Sequence, residues 1–293
     1  GLGQEVYRRA AAVSSPLWSV AVMLEQPEIV TEVHADFIKA GAKTLSLNTY
    51  TATPTRLKKA GYYDQITSIH AQAFAVLQQA IEQTNANVDI AGCLGPLIGS
   101  YQDKPNCGWQ ALLAEYTELV DLQAQADVFL IETMTNTFEA TAAAAAASQL
   151  GKPFGVSYRL ELNGKLKSGE SLEQAVAAVQ PYTPNAILLN CSGPQELGQA
   201  MPELVSLYPN VGGYANAFKS IDAVANGQLV DELEAREDIS PSLYSQQVQH
   251  WLADGAKVVG GCCEITPAHI QKIATDLTEN NIELIRFSEL KLE

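Results

Sequence analysis

Apolar positions along the chain fall in short runs separated by longer stretches with helical spacing. The runs are Thr44–Leu47, Val88–Ala91, Val128–Ile131, Phe154–Tyr158, Ala186–Leu189, Val211–Tyr214 and Lys257–Val259. Each is too brief for a helix and largely apolar, which predicts strands covered on both faces. Amphipathic stretches fill the gaps at Pro27–Ala40, Tyr63–Asn85, Trp109–Ala126, Thr137–Leu150, Ser171–Val179, Pro194–Leu207, Ser240–Ala253 and Pro267–Thr278. Pro27 and Glu28 suit a first helical turn, and Gly41 a stop. The run Ala142–Ala147 predicts a helix lying close against a sheet, because alanine favours helix and permits close approach. Leu160–Gly169 and Asn216–Ile239 are polar enough to be long loops.

Alternation of strand and helix predicts a parallel sheet, either doubly wound or closed into a barrel. No Gly-x-Gly-x-x-Gly follows a strand and there is no P-loop, which weakens the open nucleotide-binding sheet. The length fits a (β/α)8 TIM-type barrel. Only seven strand runs are found, and the chain opens at Gly1-Leu2-Gly3-Gln4-Glu5 as a loop and helix. The expectation is one barrel domain over residues 1–293, with its first strand upstream of residue 1.

Composition narrows the function classes. Against 18 Lys+Arg stand 33 Asp+Glu, a net charge of −15. So acidic a chain lacks the basic face that nucleic acid or an anionic membrane requires. A hydrophobic fraction of 47% with 17% charged residues belongs to a packed core rather than disorder. No apolar run approaches the ~20 residues of a membrane helix. The first twenty residues are polar and helical rather than a signal peptide. A cytoplasmic protein is expected, with a monomer as the starting assumption and small molecules as partners.

The five cysteines are Cys93, Cys107, Cys191, Cys262 and Cys263. An odd, sparse count argues against a disulfide framework. In a barrel, chemistry sits at the C-terminal strand ends. Those ends carry Asn48-Thr49-Tyr50, Gly92-Cys93-Leu94-Gly95-Pro96, Glu132-Thr133, Asn190-Cys191-Ser192 and Gly260-Gly261-Cys262-Cys263. Cys191, Cys262 and Cys263 would share one face. Thiolates are soft ligands suited to zinc, and three protein ligands leave a fourth position for substrate. Buried cysteine also occurs as a small hydrophobe, and spacing alone leaves both readings open. Gly260-Gly261 favours the metal by supplying a sharp turn. Cys93 and Cys107 read as structural. Glu132 reads as a contact for a substrate ammonium or as half of an internal ion pair. Asn190 either orients a ligand through its amide or caps its loop. His34, His70, His250 and His269 fall on helical patterns and read as surface or packing residues.

Asn190-Cys191 with Gly260-Gly261-Cys262-Cys263 resembles the zinc signature of the homocysteine S-methyltransferases, a family that includes betaine- and S-methylmethionine-dependent enzymes. Gly3-Gln4-Glu5 with Arg8-Arg9, Leu17-Trp18-Ser19, Pro27-Glu28, Val33-His34, Ala40-Gly41-Ala42, Asn48 to Pro54, Gly92 to Pro96 and Thr266 to Ile270 follow in family order. The resemblance spans nearly the whole chain and implies a (β/α)8 barrel holding Zn2+ on Cys191, Cys262 and Cys263. It implies homocysteine sulfur as the fourth ligand, Glu132 on the substrate ammonium, and Asn190, Tyr50 and Thr51 in the pocket. Two segments depart from it. The Asp-Gly-Gly that usually ends the first strand is represented at most by Gly1, and Pro209 to Gly213 lacks the acidic character common in the family.

The chemistry is consistent with this resemblance. Only a thiolate is nucleophilic, and zinc deprotonates a bound thiol. Three cysteine thiolates make the centre anionic, so a bound substrate sulfur stays electron-rich while its position is fixed. A cationic donor suits such a centre and could rest on an aromatic face such as Tyr50. No folate or cobalamin module is visible, and little chain follows Cys263. The preferred donors are therefore S-methylmethionine or S-adenosylmethionine, with methionine as product. The alternatives are a betaine-type donor, a different cysteine-zinc barrel enzyme such as a hydrolase, and a redox or zinc-binding protein without a substrate pocket.

Overall fold

Seven strands pair in parallel, strictly in chain order. They are β1 (Thr44–Ser46), β2 (Asp89–Leu94), β3 (Val128–Met134), β4 (Phe154–Tyr158), β5 (Ala186–Asn190), β6 (Val211–Tyr214) and β7 (Val258–Val259). The computed structural model describes residues 1–10, 15–97, 99–103, 105, 107–219 and 233–292. Every apolar run named above contributes a strand. Two strands outlast their runs: β2 continues through Cys93, and β3 through Glu132 and Thr133. Glu132 thus lies within a strand rather than after one, because ladder hydrogen bonds continue where side-chain polarity changes.

The helices are α1 (Leu2–Arg9), α2 (Ser19–Glu25), α3 (Pro27–Lys39), α4 (Pro54–Ala60), α5 (Ile66–Thr84), α6 (Trp109–Leu122), α7 (Thr137–Ser148), α8 (Leu172–Val179), α9 (Pro194–Leu207), α10 (Pro241–Asp254) and α11 (Pro267–Glu279). A 3-10 turn at Tyr63–Gln65 replaces the expected start of α5, and α6 stops at Leu122, short of Ala126. Neither α2 nor α4 follows from hydrophobic spacing. Ser19 to Met23 of α2 are all buried, which leaves no polar face to set a period. The signals for α4 are at its ends: the Thr53 side chain accepts from the Arg56 amide, Pro54 opens the helix, and Gly61 closes it at φ +79°.

Strand alternation divides the core. Phe129, Ile131, Phe154, Val156, Ile187 and Leu189 face outward into the main cluster. Ala140, Ala142, Ala143, Ala144, Ala146 and Ala147 of α7 join that cluster, so the alanine run packs closely as expected. The other face holds Ala91 of β2, Val128 of β3, and Ala186 and Leu188 of β5, all clustered with Phe287. Strands so far apart in the sheet meet around one side chain only if the sheet curls. A Cβ at Gly155 would come within 3.1 Å of the Phe287 ring, so glycine leaves room for this plug.

The plug belongs to a C-terminal segment that crosses the N-terminal ends of the strands. The Phe287 amide donates to Thr44 Oγ1 at 3.0 Å, Ser288 donates twice to Asp89, and Asn210 Nδ2 donates to the Lys291 carbonyl at 2.7 Å. That end is closed, and the opposite end is left for the cysteines.

Among the described residues the sheet has seven strands, with β1 and β7 as its edges and no ladder between them. The eight-stranded closure expected from the resemblance is therefore not seen. What is seen is a curled seven-stranded parallel sheet whose ends approach each other: α3 packs on α11, and a Cβ at Gly41 would fall 2.7 Å from that of Ala274. His34 is 1% exposed at this junction, and neither ring nitrogen has a partner among the described residues. His70 and His269 are buried on helices and His250 is exposed. Leu160–Gly169 carries no helix or strand, as expected of a loop. Of Asn216–Ile239, residues 220–232 lie outside the described residues. No described helix is long and apolar enough to cross a membrane.

Candidate metal centre and substrate cavity

β5 ends at Asn190, and the next residue leaves the strand by a left-handed step, Cys191 at φ +51°. This conformation costs a non-glycine residue about 1–2 kcal/mol and must be held by its surroundings. Asn216 Nδ2 donates to the Cys191 carbonyl at 2.8 Å, and the Cys191 amide reaches the Tyr214 carbonyl at 3.4 Å. The residues after β6 also fix the cysteine pair: Cys262 N donates to Ala215 O at 2.9 Å, and Ala217 N to Cys263 O at 3.1 Å.

The three thiols therefore converge. Cys191 Sγ is 2.8 Å from Cys262 Sγ, Cys262 Sγ is 4.0 Å from Cys263 Sγ, and all three sulfurs lie within 4.8 Å of one another. None is in a disulfide. Gly260 and Gly261 contribute differently from the sharp turn expected of them. Neither has a left-handed φ; the left-handed residue is Glu264, at φ +64°. Gly261 is needed for close approach, since a Cβ there would sit 2.2 Å from Ile265 Cγ2.

Thiolates on one tetrahedral zinc with bonds of ~2.3 Å stand about 4 Å apart. The Cys262–Cys263 spacing fits, and Cys191 and Cys262 would separate slightly to admit an ion. Three unlinked sulfurs at these distances, Cys191 buried and Cys262 and Cys263 half-buried, need a cation or shared protons. Hydrogen bonding with the Cys262 and Cys263 thiols pulls the pKa of Cys191 well below the usual thiol value. Cys262 and Cys263 are raised in return. The Tyr101 hydroxyl adds a third donor to Cys191 Sγ, at 3.6 Å.

The cysteines line a cavity of about 790 Å3, shared with Glu132, Cys93, Tyr50, Thr51, Asn190 and Tyr214 among others. Glu132 points into it from β3. Burial raises its pKa from 4.5 to about 6, despite hydrogen bonds from Cys93 and Tyr214. No cationic side chain pairs with it among the described residues. The internal ion pair considered from sequence is absent there, and the carboxylate is available to an incoming cation.

The remaining residues are more constrained than the sequence suggested. Asn190 spends its amide on Thr133, itself left-handed at φ +61°. Tyr50 bonds Ser100 Oγ at 2.9 Å and carries the Arg56 guanidinium 5.5 Å from its ring centre. A cation of the protein thus already faces the ring proposed for a donor. Thr51 Oγ1 donates to the Leu17 carbonyl at 2.6 Å. Cys107 packs against the outer core, away from the cluster. Cys93, set aside as structural from sequence, lies in the cavity with Sγ 3.0 Å from Glu132 Oε2. Its signal was available, since Cys93 shares the inward parity of Ala91. Tyr214 had the same signal on β6. Tyr101 comes from a loop and had none.

The chain resembles the homocysteine S-methyltransferase of Escherichia coli (strain K12), being 28% identical over 300 residues, 92% of this chain and 91% of that one. Among solved structures it resembles the E. coli homocysteine methyltransferase MmuM. The metallated form matches at TM-score 0.78 and 25% identity over 94% of each chain. The oxidised form matches at TM-score 0.78 and 25% identity, over 93% of this chain and 92% of that one. A family model described as homocysteine S-methyltransferase matches residues 1–277. The chain belongs to the homocysteine S-methyltransferase family.

Proposed function

We propose that the protein holds zinc on Cys191, Cys262 and Cys263 and transfers a methyl group from a sulfonium donor, S-methylmethionine or S-adenosylmethionine, to homocysteine, yielding methionine. The observation carrying this reading is three free cysteines within 4.8 Å in a cavity that also holds Glu132, a carboxylate with no ion-pair partner among the described residues. The metallated state of the E. coli relative supports a metal here, and the all-sulfur donor set favours zinc.

When bound, zinc supplies Lewis acidity that keeps a substrate thiol deprotonated at neutral pH. The chain's own residues do the rest. Glu132 receives the substrate ammonium and so sets the reach of the homocysteine side chain. Tyr101 and Thr133 hydrogen-bond Cys191 and hold its sulfur in place. The substrate sulfur forms a bond to the donor's methyl carbon as the methyl–sulfonium bond breaks. The donor leaves as a neutral thioether, and the thiol proton goes to solvent. Attacking anion and cationic donor both lose charge, so a cavity with few ionised groups favours the step. Transfer then depends chiefly on holding the two reactants in line.

One further parallel strand between β7 and β1 would complete a (β/α)8 barrel. The test of function is to incubate zinc-loaded protein with homocysteine and, separately, S-methylmethionine, S-adenosylmethionine or betaine, and to measure methionine. Product with a sulfonium supports the reading, product with betaine alone reassigns the donor, and no product with any of the three overturns it.

A further inference from the structure

We propose that Cys93 is a positioning residue for Glu132, fixing the carboxylate against which the ammonium group of the amino-acid substrate docks. This rests on the role given to Glu132 above. Cys93 and Glu132 stand on adjacent parallel strands, with Cys93 in register with Leu130, and both side chains point into the cavity. Sγ lies 3.0 Å from Oε2. The thiol is 2% exposed. Burial and the neighbouring carboxylate raise its pKa, so it stays protonated and donates.

Cys93 is itself rigidly held. Its amide donates to Gln123 Oε1 at 2.9 Å, and Gln123 Nε2 donates back to its carbonyl at 3.2 Å. Gln123 is fully buried, and the same Oε1 accepts from Thr49 Oγ1 at 3.0 Å. A side chain beyond the end of α6 therefore anchors the strand position that aims the thiol.

The choice of a thiol has a physical logic. An arginine or lysine would hold Glu132 more firmly but would compete with the substrate's ammonium for the same charge. A thiol is a weak neutral donor. It orients one carboxylate oxygen and leaves the negative charge to attract the substrate.

The test is a double-mutant cycle on zinc-loaded enzyme, reading KM for homocysteine, kcat, KM for the donor and bound zinc. Cys93→Ala is expected to raise KM for homocysteine about fivefold to tenfold, the loss of one hydrogen bond from a weak thiol donor. Expected kcat stays within about twofold, with donor KM and zinc content unmoved. Cys93→Ser should restore KM, because a hydroxyl donates to the same oxygen. Should Cys93→Ala fold poorly, Cys93→Val, close in shape and without a donor, should show the same KM rise. In a Glu132→Gln background the Cys93→Ala effect should vanish. An unchanged homocysteine KM in Cys93→Ala, or an equal rise in the Glu132→Gln background, would overturn the positioning role. If Glu132→Gln alone leaves that KM unchanged, the ammonium assignment fails instead, and the positioning role falls with it.

Discussion

Asn190 and Thr133 are bonded twice across the cavity wall. Asn190 Oδ1 accepts from the Thr133 amide at 3.1 Å, and Asn190 Nδ2 donates to Thr133 Oγ1 at 2.9 Å. Both residues are buried, and each borders a left-handed position, Thr133 being one itself and Asn190 preceding the other, Cys191. The pair joins the end of β3, which carries Glu132, to the end of β5, which leads into Cys191, the first cysteine of the proposed metal site. Asn190→Ala leaves two buried partners unsatisfied and should cost about 1–3 kcal/mol. A lower Tm together with weaker zinc retention is the expected outcome. A lower Tm with zinc retention unchanged would confine Asn190 to the fold.

The two classes of cysteine should separate cleanly. Cys191→Ala and Cys262→Ser are each expected to lose zinc and to reduce methionine formation by about 100-fold or more. Cys107→Ser should match the parent in both measures, because Cys107 packs away from the cluster. Full methyl transfer by a zinc-free Cys262→Ser protein would refute the metal's role.

Glu132 makes a pH prediction whose sign is fixed. Its pKa rises from 4.5 to about 6 on folding, so between those values the folded state binds more protons than the unfolded one. Its stability contribution is greatest below the unfolded value, falls as pH rises from 4.5 to about 6, and is lost above it. The cost at neutral pH is at most about 2 kcal/mol, reduced by cavity water. Glu132→Gln should therefore raise Tm at pH 8 and show little gain at pH 4.5. Scanning calorimetry at the two pH values checks this, and a Tm gain equal at both would contradict it.

The same ionisation should appear in binding. KM for homocysteine is expected to rise as pH falls through about 6, because the protonated carboxyl no longer attracts an ammonium. Glu132→Gln should start from a higher KM and flatten this limb. A parent enzyme with KM independent of pH across that range would assign the ammonium elsewhere.

Much of this architecture was legible in the sequence because strands covered on both faces must be apolar almost throughout. Seven such runs mark seven strands. The polar ends were harder to read, since Cys93 and Glu132 lie on strands that continue after their apolar runs end. Period-based reading cannot find α2, which is buried on every side. The cysteine triad was visible as strand-end positions and an adjacent pair, while its precise support was not. Asn216, Thr133 and Tyr101 reach Cys191 from three separate segments, and no local pattern announces such contacts. The seven strands counted in the sequence are the seven of the sheet, while the closed eight-stranded barrel implied by the resemblance is not seen among the described residues.

Phe287 carries a last consequence, for folding order. It fills the interior of the curled sheet, and it and its neighbours tie the starts of β1, β2 and β6, so the floor of the cavity is supplied after all seven strands in the chain. These contacts span up to 243 residues of sequence, and loops of that length close slowly. During synthesis the strands must wait with their inner faces uncovered until this segment arrives, which makes sealing of the floor a late event and leaves the unplugged sheet prone to aggregate.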